Sequence, residues 1–151
     1  MANQNHSDVL NHVLARVYRC LLQYAQECWP WTTATETPGV EPPEQKAVEQ
    51  MSARQRDFVA RLVDLLLRRG AAVDFGSFPD FSEMHYVSLD YLLGKLIADE
   101  QKLISELEAA HTTLESDATA RGLVSELLAS EKENLVRLRG MAAKAGAPLA
   151  V

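Results

Sequence analysis

A chain of 151 residues, 47% apolar and 24% charged, is long enough to bury one real hydrophobic core, and its composition is that of a globular chain and not of a disordered one. Its formal charge of -6, with acids and bases interleaved throughout, offers no basic patch for a phosphate backbone and argues against nucleic acid as a partner. The most apolar windows are broken by Arg61, Asp64, Asp90 and Lys95, so no membrane span is expected, and the opening MANQNHSDVL lacks the basic and apolar regions of a signal peptide, which makes the cytoplasm the expected location.

The first predicted helix covers about 7–30. Leu10, Leu14, Val17, Leu21, Tyr24, Cys28 and Trp31 step by four and three, the spacing that keeps one face toward a core. Ser7 or Asp8 can cap its start, and Pro30 ends it. Cys20 and Cys28 on one continuous helix would stand about 12 Å apart, too far for a disulfide, and read as free thiols in the core. The Thr-, Pro- and Gly-rich stretch that follows reads as loop. Helix two, about 43–69, opens on Pro43 and Glu44 and carries Val48, Met51, Gln55, Phe58, Leu62 and Leu65 inward; Arg68, Arg69 and Gly70 close it.

The next break contains DFGSFPDF, whose glycine, proline and aromatic rings predict an ordered coil packed onto the helices. Helix three, about 82–110, has Asp80 or Ser82 as its cap and the row Leu89, Leu93, Leu96, Glu100, Leu103 and Leu107. Helix four, about 116–143, carries Val124, Leu128, Glu131, Leu135, Leu138 and Ala142. No strand pattern competes, so the expected class is all-α: one helical-bundle domain over 1–151.

Polar residues interrupt three of these rows near their centres. Gln55, Glu100 and Glu131 should therefore meet at one level inside the bundle, with Asn134 one turn from Glu131 and Tyr24 as the polar group of the first helix nearest to them. Buried carboxylates without partners are costly, so this cluster must be hydrogen-bonded, protonated, open to water or bound to a cation.

The four long helices, the connection RRGAAVDFGSFPDF and the stretch ASEKENLVRL together resemble the ferritin-like superfamily. That resemblance implies a four-helix bundle with a crossing connection between helices two and three. It also implies a diiron centre held by one glutamate from each of two helices and a Glu-x-x-His from each of the other two. Glu100 matches the single glutamate of helix three and Glu131 the glutamate of the motif in helix four. Asn134 stands where its histidine would be, Gln55 and Phe58 replace the motif in helix two, and helix one has Leu21 or Tyr24 at the central level, with Glu27 off the row. Two carboxylates and two amides fall short of a diiron shell. The implied state is a degenerate metal site with no cofactor; the alternative is one divalent metal ion at Glu100 and Glu131. His6, His12, His85 and His111 are expected toward helix ends, at surface or capping positions.

Phosphate-loop, nucleophile-elbow, Cys-x-x-Cys and His-Glu-x-x-His motifs are all lacking. Trp29 and Trp31 in ECWPW read as a plug at the end of the bundle or as an interface to a second subunit. The functional expectation is a non-catalytic binding or assembly module, a homodimer without a nucleic-acid or membrane partner. The rival expectation is a metal-binding protein or oxidoreductase with an atypical site at Glu100 and Glu131.

Overall fold

A computed structural model of the chain describes residues 2–28, 43–77, 79–84 and 87–145. Among the described residues every regular element is helical: α1 (Ala2–Tyr18), α2 (Leu21–Glu27), α3 (Pro43–Arg68), a 3-10 turn (Ser82–Met84), α4 (Leu89–Thr113) and α5 (Ala118–Ala145). No helix is long and apolar enough to cross a membrane among the described residues.

The four long helices pack around two apolar clusters. One joins Leu10, Leu14 and Val17 of α1 to Leu62 and Leu66 of α3, Leu103 and Leu107 of α4, and Val124 and Leu127 of α5. The other joins Leu21 and Leu22 of α2 to Val48 and Met51, to Leu93 and Leu96, and to Leu138. Because Leu10 to Val17 of α1 share the first cluster with late α3, late α4 and early α5, while α2 shares the second with early α3, early α4 and late α5, neighbouring helices run antiparallel. Helix α3 ends beside the first cluster and α4 begins beside the second, so the segment from Arg69 to Ser88 travels from one end of the core to the other.

That crossing segment is fastened to α1 and α2. Gly70, at φ 68°, ends α3 with the paired turn bonds Ala71 N to Leu66 O (3.0 Å) and Gly70 N to Leu67 O (3.0 Å), a backbone reversal that a residue with a Cβ resists. Asn11 then donates to Ala72 O at 2.9 Å and accepts from Asp74 N at 2.8 Å. The Phe75 ring packs on Tyr18 at 5.0 Å between centroids, and Phe81 packs on Tyr24 at 5.1 Å.

Two helix boundaries differ from the periodicity reading for physical reasons. The helix expected over 7–30 starts earlier, at Ala2, and breaks at Arg19 and Cys20, where Cys20 is extended (φ -74°, ψ 164°). The break is held from a distance: Asp99 of α4 accepts from Leu21 N at 3.0 Å while Arg16 grips the same carboxylate at 2.9 Å. The α-helix expected from 82 begins instead at Leu89, because Ser88 accepts from Tyr91 N at 3.2 Å and caps it, whereas Asp80 spends its carboxylate on Ser82 N (2.9 Å) in a local turn.

Candidate functional site

The polar interruptions lie between the two apolar clusters, as a layer across the bundle. Gln55, Glu100, Glu131 and Asn134 are each at most 2% exposed. Each sits on an inward helical row whose neighbours one turn away are the leucines, methionine and valine of the clusters. Glu131 is the hub. The Gln55 amide donates to both of its oxygens, at 3.0 and 3.1 Å, and the Asn134 amide donates to Oε2 at 3.0 Å. Glu100 is hydrogen-bonded to the same carboxyl group; burial first, and then the nearness of Glu131, push its pKa up to about 11. Glu100 is therefore the protonated member, a carboxylic acid donating to the Glu131 carboxylate.

The layer extends toward the first helix through the carbonyl end of Gln55. Its Oε1 accepts from Gln23 Nε2 at 3.0 Å and from the Cys20 thiol at 3.3 Å, so both ends of the amide are used. Gln23 also donates to Ser52 O at 2.8 Å, and its own oxygen accepts from Arg56 at 3.4 Å near the surface. Burial and the surrounding carboxylates push the Cys20 thiol well above its ordinary pKa, which suits it to donate and not to ionise. Two oxygens in the layer, Glu100 Oε1 and Asn134 Oδ1, are buried without a hydrogen-bond partner among the described residues.

Tyr24, the polar group expected from the first helix, is instead half-buried outside this hub, with its ring on Phe81 and its hydroxyl hydrogen-bonded to Cys28. The break at Cys20 turns the face of the helix, so that Gln23 and Cys20 enter the layer in its place. Gln23 is not marked by the apolar periodicity, and Cys20, expected in the core as a small thiol, joins the layer as a donor. Trp29 and Trp31 lie outside the described residues, as does His85. His6 departs from the surface expectation: it is 8% exposed, with Nδ1 3.2 Å from Oδ2 of Asp117, the residue before α5 that also pairs with Arg69. His12 is exposed and His111 half-buried.

The donor set does not fit a pair of metal ions. Among the described residues, no three His, Cys, Asp or Glu side chains stand together as a ligand group. Phe58 is a half-buried ring with the Arg61 guanidinium over it, and both amides turn their N–H groups, not their lone pairs, toward Glu131. What the arrangement can do chemically is hold a proton between two buried carboxyl groups, with every buried polar end but two satisfied among the described residues.

Neither the family models, the curated proteins nor the solved structures contain a match to this chain.

Proposed function

We propose that this chain is a non-catalytic binding or assembly module, working as a homodimer, on a ferritin-like four-helix bundle. In this reading the layer that would hold two irons is replaced by an amide- and proton-linked network. The observation that carries it is the Gln55 amide spanning both oxygens of Glu131, since a carboxylate so bonded has its charge answered by protein. The crossing from α3 to α4 and the antiparallel neighbours support the bundle type. Metal analysis after purification without chelator tests the reading: metal-free protein is expected, and stoichiometric iron, manganese or zinc that is lost in Glu131→Gln overturns it. Light scattering across a concentration series tests the dimer.

A second reading is a single divalent cation held by Glu100 and Glu131, and the specific observation in its favour is the pair of unpartnered oxygens, Glu100 Oε1 and Asn134 Oδ1. Binding would require Glu100 to release its proton. Calorimetry with magnesium, calcium or manganese in buffers of different ionisation enthalpy separates the two readings, because cation binding there liberates a proton and an empty network gives no heat.

A further inference from the structure

The groove between α1 and α4, beneath the crossing segment, gathers basic side chains in an otherwise acidic chain. His12, Arg16 and Arg19 of α1 and Lys102 of α4 line an open cleft of about 420 Å³, walled on its outer side by Pro79 and Phe81. Its two acids, Asp99 and Glu106, are both taken by Arg16, at 2.9 and 2.5 Å. One guanidinium thus bonds to both carboxylates and offsets one of their two charges, and Lys102 and His12 have no hydrogen-bond or ion-pair partner among the described residues. Arg19 is fixed in place, donating to Phe75 O at 3.2 Å with its guanidinium over the Tyr18 ring at 4.6 Å.

The wall of the cleft is built, not draped. Asn11 holds the crossing segment at Ala72 and Asp74, and Gly76, at φ 64°, approaches α1 so closely that a Cβ there would stand 3.0 Å from Ala15 Cβ. The wall, Arg16 and Arg19 are held by these contacts before any ligand arrives, which lowers the ordering cost of binding.

We propose that this cleft binds a small oxyanion, a carboxylate or phosphate group on a compact molecule, with Lys102 and His12 as its direct partners, Arg19 supplying charge from the rim, and Pro79 and Phe81 receiving the apolar part. The site is separate from the buried layer and does not depend on how that layer is read.

Amide chemical shifts of the intact chain, titrated with inorganic phosphate and separately with succinate against sodium chloride of matched ionic strength, test it. Saturable shifts at His12, Arg19, Ser77, Phe81 and Lys102 are expected with one or both anions, and the preferred anion names the class. Binding should weaken about tenfold in Lys102→Ala, the loss of one charged hydrogen bond, and stay unchanged in Lys46→Ala, which removes an exposed lysine of α3. Shifts equal to those of chloride overturn the proposal, and so does a Lys102→Ala chain that folds and binds as tightly as the parent.

Discussion

Gln55 Nε2 lies 3.0 Å from Glu131 Oε1 and 3.1 Å from Oε2, so one buried side-chain amide of α3 spans the buried carboxylate of α5. The other end of the amide accepts from Gln23 and Cys20. Replacing Gln55 with methionine keeps the volume and removes three polar roles at once. A buried carboxylate loses its main donor while two donors lose their acceptor, so Gln55→Met should cost about 3 kcal/mol. Urea unfolding monitored by circular dichroism measures this, and a loss below about 1 kcal/mol would show that the amide is dispensable.

Glu100 should set the pH dependence of stability on the alkaline side. Its carboxyl titrates near 4.5 when unfolded and is raised to about 11 by burial and by Glu131 in the folded chain. Between those values the folded state holds one proton more than the unfolded state. The contribution is complete below about 4.5 and is lost as pH rises through this window, by at most about 1.4 kcal/mol per pH unit. Glu100→Gln imitates the protonated acid and removes that slope. The variant should match the parent near pH 5 and exceed it increasingly toward pH 9, in denaturant titrations at each pH. Parallel curves for the two proteins would sink the assignment of the proton to Glu100.

Asp117 should set the acid side. Arg69 chiefly holds its carboxyl down, to about 2, against an ordinary 3.8, and Oδ1 also accepts from Ala120 N at 3.1 Å as the cap of α5. A depressed value contributes stability above the unfolded pKa and loses it as pH falls, here between about 4 and about 2. Asp117→Ala should lower stability at neutral pH by about 1–2 kcal/mol, the usual worth of such a cap, and should flatten this acid limb. Thermal melts between pH 2 and pH 7 supply the measurement, and an unchanged acid limb would assign it to other carboxylates.

Two glycines with nearly the same backbone angle should respond differently to alanine. Gly70→Ala meets only the left-handed penalty, about 1 kcal/mol, because nothing lies within 4 Å of the added Cβ. Gly76→Ala meets that penalty and the Ala15 side chain at 3.0 Å, so it should cost distinctly more and loosen the crossing segment. Equal losses in equilibrium unfolding would mean that the segment can lift from α1 at little cost.

Much of the architecture was legible in the residues because helical periodicity is local. The rows through Leu62, Leu93, Leu103 and Val124 point inward whatever their partners are, and a polar residue in the middle of such a row announces itself, as Gln55, Glu100 and Glu131 do. The ends of the helices were less legible. Ser88 and Asp80 are both competent caps by type, and in the folded chain Ser88 takes Tyr91 N while Asp80 is spent on Ser82 N, with Leu89 buried in the second cluster.

The amino-acid sequence by itself determined an all-helical chain and the residues that would interrupt its core, since both follow from side-chain spacing along a single helix. The tertiary structure alone decided which residue of the first helix joins them. The break at Cys20 depends on Asp99, a residue 78 positions from Leu21, and no local pattern near Tyr24 encodes it. It also brought the two glutamates together: Glu131 collects the amide donors of Gln55 and Asn134, and burial beside Glu131 holds the Glu100 carboxyl well above the usual carboxylate range.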